Sequence, residues 1–449
     1  MSRTGHDGEG EPVASTGGPV PSAVESAGVT SPPTASATVT KVTPSGATAT
    51  ISPSRGAEPY VVVFTLWLLV FSSASQTMIL APILPMIGDQ LDIADAVLGT
   101  LVSVYSVMVG IFAILAGPVS DRVGRRRILI LGTGTMTLAL TLHGFVTGYT
   151  SFIAVRVFAG CAGGMLSGAA VSYIGDYFPY TQRGWATGWV MSGSAFGQIF
   201  GIPLGIVMAS RWGFRSPFYL FAATMAATVF LLVFRVPQPD VRRSDHPLSI
   251  RKAASDYLAM LRRPEIAWAS AAFFTMFLGV SIFVIYLPTW LERDLGITGD
   301  QIAIMFLIGG IANVLTGPQV GKLSDRIGRK GIILLGCVGL SLLMLSTVRV
   351  VTNATSAYVF FFFAMVLVAT RISPFSALLT ALVSDERRGS LMSLTVALGQ
   401  VGFALGGAVA GPLFAGIGFF SNTVLAASSV LAMGLIVWFF VPEPKESRV

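Results

Sequence analysis

Two arginines interrupt long apolar runs of the sequence, where a charged side chain needs a specific role. Arg156 lies in the run at 152–175, and Arg371 lies in the run at 357–383. Placing an arginine in the middle of a membrane helix costs about 2.5–3.5 kcal/mol on insertion scales, so each guanidinium is a candidate for solute binding or charge coupling. Arg156 lies only ~6 Å inside its run, and snorkelling to the membrane surface is its alternative.

Four uncharged polar residues inside apolar runs are further candidates for lining a solute path, namely Gln76, Gln198, Asn313 and Gln400. For each of them, a hydrogen bond between helices is an equal alternative. All 22 acidic residues fall in tails, loops or the ends of runs, so a multiply cationic solute would find no counter-charge in the middle. The pattern predicts a neutral polar or anionic solute, anchored by Arg371 through its planar fork of five donors.

A ten-residue charged motif occurs twice, 204 residues apart, each time between two apolar runs. The copies read Gly117-Pro-Val-Ser-Asp121-Arg122-Val-Gly124-Arg125-Arg126 and Gly321-Lys-Leu-Ser-Asp325-Arg326-Ile-Gly328-Arg329-Lys330. The glycines allow a sharp reversal of the backbone, and a carboxylate so close to a bilayer requires a cation or a helix N-terminus. A basic turn that only sets topology is the alternative, although topology needs neither the aspartate nor the glycines.

Small residues form stripes in two of the apolar runs. The stripes consist of Gly193, Gly197, Gly201 and Gly205, with Pro203 among them, and of Gly402, Gly406 and Gly407. A stripe of glycines lets another helix approach closely, so we expect a packing surface. A sliding surface between two halves of the protein is the alternative.

These residues are carried by twelve apolar segments, each near the ~20 residues that a helix needs to cross a bilayer. Hydrophobic residues make up 53% of the chain, charged residues make up 11%, and the mean hydropathy is +0.74, which excludes a soluble protein. The predicted fold is an all-α membrane protein with twelve transmembrane helices in two six-helix repeats. The segments lie at 60–86, 97–118, 128–147, 152–175, 185–208, 217–235, 267–290, 301–321, 332–350, 357–383, 390–417 and 422–441.

The predicted organisation has five parts: a disordered cytoplasmic tail at 1–58, a six-helix half at 59–235, a linker at 236–266, a second half at 267–441 and a tail at 442–449. In the linker, the apolar side chains of 250–261 share one helical face. This pattern predicts an interfacial helix on anionic lipid, with a solvated basic linker as the alternative.

The loop charges predict the orientation. With the N-terminus placed inside, twenty Lys and Arg residues flank the inner ends of the segments and only four lie outside, not counting the long N-terminal tail. We therefore expect a multi-pass protein of the plasma or inner cell membrane with both termini in the cytoplasm. The sequence has no nucleophile–base pair, no metal-ligand spacing and no phosphate-binding loop. It predicts a protein that is not an enzyme, with no cofactor, no metal and no nucleic-acid partner.

The repeated turn resembles the signature loop of the major facilitator superfamily, and the resemblance spans roughly 60–441. The stretches around Gly201-Ile-Pro203-Leu-Gly205 and Arg371-Ile-Ser-Pro374 are similar to efflux permeases of the drug:proton antiporter type, with arabinose-efflux-permease-like members the most alike. The R-x-x-x-G pattern from Arg156 to Gly160 resembles a motif linked to proton transfer.

The resemblance implies a latch that joins the two halves on the cytoplasmic side. In the first copy, Asp121 would meet Arg125, Asp176 at the end of the fourth helix, and the start of the eleventh helix near Gly389. In the second copy, Asp325 would meet the start of the fifth helix near Gly184.

The predicted function is secondary active transport, namely proton-coupled efflux of a small organic solute (a drug, sugar or metabolite) by alternating access. Proton coupling is implied by the resemblance alone. Two alternatives remain: a facilitator or importer of a small polar metabolite, and a membrane sensor derived from the fold that moves no solute.

Overall fold

The computed structural model of the chain describes residues 59–239, 250–383 and 388–443. Within 1–55 it describes a short antiparallel pair, β1 (Thr40–Lys41) with β2 (Ala49–Thr50). The rest of the predicted tail at 1–58, most of the tail at 442–449, and the side chains of Gly117, Asp121 and Gly389 lie outside the described part.

The described chain from residue 59 is built from α-helices. In order they are α1 (Pro59–Met78), α2 (Leu80–Leu91), α3 (Asp95–Val123), α4 (Arg125–Leu142), α5 (Tyr149–Leu166), α6 (Ala169–Tyr177), α7 (Tyr180–Phe196), α8 (Ile202–Trp212), α9 (Ser216–Phe234), α10 (Ile250–Leu261), α11 (Pro264–Val284), α12 (Leu287–Arg293), α13 (Gly299–Ile327), α14 (Arg329–Val350), α15 (Ala354–Ala381), α16 (Arg388–Ile417) and α17 (Phe419–Phe440). A 3₁₀ turn at His143–Phe145 follows α4, and a π-helical segment at Gly197–Gly201 joins α7 to α8.

Twelve stretches of these helices are long and apolar enough to cross a membrane, which confirms the predicted twelve spans. In chain order, the spans are formed by α1, α3, α4, α5 with α6, α7 with α8, α9, α11 with α12, α13, α14, α15, α16 and α17. The fourth span is broken between α5 and α6, where Gly168 has a φ of 73° that suits glycine. The fifth is widened by the π-helical segment.

The two halves repeat the same packing, as the sequence repeat requires. In the first half, α1 packs on α7 and α9, α3 packs on α5, and α4 packs on both α5 and α9. In the second half, α11 packs on α16 and α17, α13 packs on α15, and α14 packs on both α15 and α17. Between the halves, α3 packs on α16, α13 packs on α8 and the π-helical segment, and α12 packs on α2.

The two ends of this bundle carry different connections between helices. The motif side holds the two turns of the repeated motif, between α3 and α4 and between α13 and α14. The opposite side holds the connections from α2 to α3 and from α12 to α13.

The linker helix α10 lies on the second half. Met260 is 6% exposed, and it forms an apolar cluster with Ile266 of α11 and with Leu391 and Leu394 of α16, against which Tyr257 also packs. Tyr257, which belongs to the apolar face predicted to rest on lipid, instead packs against this protein cluster.

Candidate functional site

The first copy of the turn motif is tied to the end of the fourth span. Gly124 joins α3 to α4 with a φ of 107°, and its N–H donates to the carbonyl of Ser120 over 2.9 Å. The next residue, Arg125, places its Nε 2.9 Å from Oδ2 of Asp176, and both side chains are only about one-fifth exposed. Arg125 also donates to the hydroxyl of Ser120 over 3.3 Å. The structure thus brings together the Arg125–Asp176 pair that the resemblance implied.

The second copy has the same backbone and a different set of partners. Gly328 has a φ of 101°, as Gly124 has in the first copy. Arg329 donates from Nη2 to Oδ1 of Asp325 over 3.1 Å and from Nη1 to the carbonyl of Ala377 over 3.2 Å. Among the described residues, a backbone carbonyl near the end of α15 thus takes the place that the Asp176 carboxylate has in the first copy.

The predicted contact of Asp325 with the start of the fifth span is not made in this structure. The Asp325 side chain is 59% exposed and bonds Arg329, which lies four residues later on the other side of the Gly328 turn. A Cβ added to Gly184, in the first turns of α7, would meet open space. A local i,i+4 partner therefore holds the carboxylate that was expected to join the halves.

Two residues that the sequence analysis missed complete the turns. Glu443, just after α17, accepts the backbone N–H of Arg329 through Oε1 over 2.7 Å. Gln238, just after α9, holds the corresponding place in the first half, since a Cβ added to Gly124 would lie 3.0 Å from its Nε2. The signal was present in the sequence, because Val236-Pro-Gln-Pro and Val441-Pro-Glu-Pro repeat 205 residues apart.

On the opposite side, an ion-pair network crosses between the halves. Arg293 at the end of α12 places Nη2 2.9 Å from Oδ1 of Asp89 and Nη1 2.8 Å from Oδ2 of Asp95. Asp95 is the better buried of the two carboxylates, with 19% of its side chain exposed. Asp89 and Arg293 stand 204 residues apart, the spacing of the repeated motif. Equivalent positions of the two halves thus carry opposite charges and pair directly.

A buried tyrosine adds a second cross-link at this end. The Tyr286 hydroxyl donates to the backbone carbonyl of Asp95 over 2.6 Å and accepts the N–H of Gly99 over 2.9 Å. Below it, Ser103 donates to the carbonyl of Ala404 over 2.6 Å. These bonds satisfy backbone and hydroxyl groups that would otherwise be unpaired away from water.

Glycines bring α3 and α16 together at the same end. A Cβ on Gly99 would overlap the carbonyl oxygen of Gly407, and a Cβ on Gly411 would overlap that of Ala96. Towards the middle of the bundle, Gly110 faces Gln400, whose Cβ would lie 3.3 Å from an added Cβ. Of these six residues, only Gln400 was predicted to line the solute path.

At mid-depth, the halves meet through a pair of amides. Asn313 of α13 donates from Nδ2 to Oε1 of Gln198 over 3.1 Å, and both residues are half-buried. Gly310 packs against the backbone of Gln198, where a Cβ would lie 3.2 Å from its carbonyl oxygen. Gln198 lies in the π-helical segment, a local widening that is frequent at functional sites. Two predicted candidates are thus brought into direct contact.

The predicted glycine stripes pack within the halves. Gly193 and Gly197 face Trp67 and Phe71 of α1, and the next two glycines of the stripe, Gly201 and Gly205, face Ser75 and Ile79 of the same span. Gly402 and Gly406 make the equivalent contact with Phe274, Leu278 and Ser281 of α11. These six glycines therefore pack within the halves, whereas Gly407 of the second stripe lies against Gly99 and Ser103 of the other half.

Arg156 is enclosed inside the first half. It is 1% exposed, and its guanidinium carbon lies 5.4 Å from the ring centroid of Tyr105, 5.9 Å from that of Phe152 and 5.7 Å from that of Phe218. Three ring faces partly compensate the buried charge. Its Nε and Nη2 have no hydrogen-bond partner in the described part of the chain. Snorkelling is therefore wrong for Arg156, because aromatic rings surround the charge.

His143 and Gln76 belong to the same buried region. The His143 ring stacks on Phe218 at 4.2 Å between centroids, and its Nδ1 lies 2.8 Å from the carbonyl of Ala139. Gln76 donates from Nε2 to the hydroxyl of Tyr105 over 2.9 Å. Gln76 Oε1 and His143 Nε2 are buried acceptors without a partner among the described residues. The first half thus contains a cluster of polar side chains that is buried from solvent.

Arg371 is enclosed inside the second half. Its side chain is 0% exposed, and its Nη1 lies 3.8 Å from Sδ of Met433 on α17. The Cys337 thiol of α14 lies 3.9 Å from the same sulfur. This placement corrects the prediction that Arg371 anchors a solute from a cavity wall: in this conformation its guanidinium faces α17, inside its own half.

Twelve membrane spans in two repeated halves, joined on one side and carrying duplicated charged turns, define a transporter fold. The Major Facilitator Superfamily model matches residues 66–369 and again 277–449, and the chain belongs to this family.

Known relatives agree with this assignment. The uncharacterized MFS-type transporter YceJ of Bacillus subtilis (strain 168) is 25% identical over 357 residues, covering 78% of this chain and 89% of its own. Multidrug resistance protein MdtG of Proteus mirabilis (strain HI4320) is 24% identical over 394 residues, covering 85% of this chain and 96% of its own. The crystal structure of a D-xylose-proton symporter superposes with a TM-score of 0.71 at 18% identity, covering 87% of this chain and 99% of that one.

Proposed function

We propose that this protein is a secondary active transporter that exports a small organic solute in exchange for protons by alternating access. The observation that carries the proposal is the distribution of contacts between the halves. They meet on the opposite side through Arg293, Asp89, Asp95 and Tyr286, whereas on the motif side Arg125 bonds Asp176 and Arg329 bonds Ala377, each within its own half. Such an arrangement suits halves that rock about a central site.

The excess of Lys and Arg in its loops supports a motif side that faces the cytoplasm, together with both chain termini. The structure then corresponds to a state whose halves are joined at the outer face. In the converse state, Asp325 would leave Arg329 and reach the N-terminus of α7, where unsatisfied N–H groups attract a carboxylate. Asp121 would do the same at the start of α16. The latch is thus formed only when the cytoplasmic side closes.

The solute is proposed to be neutral and polar, or anionic. Acidic residues of the described spans, such as Asp95, Asp176 and Asp325, stand at helix ends and not in their middles. A buried cation would lack a counter-charge there. The half-buried amides of Gln198 and Asn313 offer hydrogen bonds at mid-depth instead. Export and antiport draw support from the similarity to MdtG, which is named a multidrug resistance protein.

Reconstituted flux tests the proposal. Full-length protein in vesicles with an imposed pH gradient should move a labelled solute against its concentration gradient and should acidify the proton-poor compartment. Neutral, anionic and dicationic drugs, sugars and nucleosides form the panel. Asp121→Asn should impair flux at equal abundance in the membrane, whereas accumulation of a dication would contradict the proposed solute class.

A facilitator is the second candidate, favoured by the absence of an acidic residue from the middle of the described spans. Proton antiport usually needs a titratable group that both sides reach in turn, and such residues line ion paths in membranes. Equal flux with and without the pH gradient, and no uphill accumulation, would establish the facilitator and exclude the antiporter.

A further inference from the structure

An apolar groove runs between the first and sixth spans on the motif side. Tyr60, Val61 and Phe64 of α1 form one wall, and Phe230, Leu231 and Phe234 of α9 form the other. Its volume is about 670 Å³, and Arg235 closes the end at which α9 stops.

The walls of the groove suit hydrocarbon. Phe64 is 54% exposed, Phe230 60% and Phe234 68%, so large aromatic surfaces are left without protein cover. Because these residues lie in membrane spans, acyl chains and not water are the medium that they meet. Tyr60, at the beginning of α1, places an amphipathic ring at the level where spans reach the headgroups.

The closed end of the groove carries unpaired positive charge. Arg235 is exposed, and no hydrogen bond or ion pair of its side chain occurs in the described part of the chain. Beside it, Arg126 donates to the carbonyls of Leu232 and Val233 over 3.2 and 2.6 Å. Neither guanidinium is bonded to a carboxylate within the described residues. Two cations within one turn of a helix end attract a phosphate at headgroup level.

A second lipid-facing groove provides the contrast. It lies between α14 and α15 on the opposite side, has a volume of about 430 Å³ and is lined by residues that include Leu343, Asn353, Val359 and Phe363. None of the described residues that line it carries a charge. An acyl chain fits both grooves, but only the first offers a cation to the headgroup.

We propose that the groove between α1 and α9 is a binding site for a phospholipid with a net anionic headgroup. One acyl chain lies between Phe64 and Phe230, and the phosphate sits on Arg235 with Arg126 behind it. The site is independent of the transported solute and goes beyond the proposed function.

Lipid retention tests the site. The full chain is incorporated into nanodiscs made from equal amounts of phosphatidylglycerol and phosphatidylcholine with identical acyl chains, then extracted gently, and the retained lipids are counted by native mass spectrometry. Wild type should retain one phosphatidylglycerol in preference. Arg235→Gln should lower that preference about fivefold, as expected for one arginine near a membrane surface. Arg262→Gln, an exposed arginine on the same side at the end of α10, should leave it unchanged.

A second variant distinguishes the contribution of the groove to lipid binding from that of the charge. Val61→Trp fills the groove and should abolish the retained phosphatidylglycerol while Arg235 remains. A photo-crosslinking residue in place of Phe230 should capture the lipid. Equal retention of both lipids by wild type, an unchanged preference in Arg235→Gln, or crosslinking of position 230 to residues 1–58 of the chain itself would overturn the proposal.

Discussion

The two ends of the bundle hold their helices by different arrangements of charge. On the motif side, both halves carry the same charged turn, and each arginine bonds inside its own half, Arg125 to Asp176 and Arg329 to Ala377. On the opposite side, equivalent positions carry Asp89 and Arg293, which pair across the halves. Pseudo-twofold symmetry brings equivalent residues face to face, so like charges must find local partners, whereas unlike charges can bridge the halves.

The largest expected effect comes from the glycine contact of the opposite side. Gly99→Ala should force α3 and α16 apart, because the new Cβ would overlap the carbonyl oxygen of Gly407. Overpacking of this kind costs about 1–3 kcal/mol, so closure of this side should weaken by about fivefold to 150-fold. Labelling of a cysteine introduced at Ser103, which is 6% exposed, measures the opening.

Gly134→Ala is the matched control for that variant. This glycine lies in α4, and a Cβ there would meet open space. It should leave both labelling and flux at the wild-type level. Unchanged labelling in Gly99→Ala would mean that the glycine contact does not limit opening.

The next effect concerns the motif side. Asp176→Asn should slow transport about tenfold, because Arg125 loses a charge-assisted bond of about 1.5–3 kcal/mol in a setting that is only one-fifth exposed. Ala381→Asp places a carboxylate near the equivalent point of the second half, where Arg329 bonds a carbonyl. Initial rates in vesicles at equal protein content provide the measurement. Wild-type flux in Asp176→Asn would remove the pair from the mechanism.

A smaller effect is expected for the ion pairs across the halves. Arg293→Gln removes both pairs, and because the side chains are partly exposed, each contributes about 0.2–1 kcal/mol. Opening of the opposite side should increase about twofold to thirtyfold, less so at high salt. Exchanging the charges, Asp89→Arg with Arg293→Asp, should restore part of the effect. If the exchanged pair opens as readily as Arg293→Gln, the ion pair between Asp89 and Arg293 does not hold the opposite side closed.

The smallest effect should come from Glu443, which holds in the second half the place that Gln238 holds in the first. Glu443→Gln keeps an acceptor for the Arg329 N–H and removes its charge from the N-terminus of α14. Charge at a helix end contributes about 0.3–1 kcal/mol, so hydrogen exchange in the first turn of α14 should accelerate about twofold to fivefold. Gln238→Glu should slow exchange at the start of α4 by a similar factor. Faster exchange in Gln238→Glu, or slower exchange in Glu443→Gln, would show that the two residues do not have equivalent roles.

Several features of this fold follow directly from the sequence. The twelve spans, their repeat and the turn glycines are local: a bilayer requires about 20 apolar residues per helix, and a positive φ at Gly124 and Gly328 requires glycine. The Arg125–Asp176 pair was found through a family resemblance, since its two residues are 51 positions apart. The repeat around Gln238 and Glu443 was also visible in the sequence and was overlooked.

The orientation of the helices was decided by tertiary structure. A membrane helix is apolar on every face, so its sequence carries little of the periodic signal that marks the buried side of a helix in water. The sequence therefore predicts Arg371 on a cavity wall, whereas helix packing turns its side chain towards Met433. The Gly193 to Gly205 stripe faces α1 for the same reason, while Gly99 and Gly407 form the close contact between the halves. Only the packed bundle determines which neighbour each face meets.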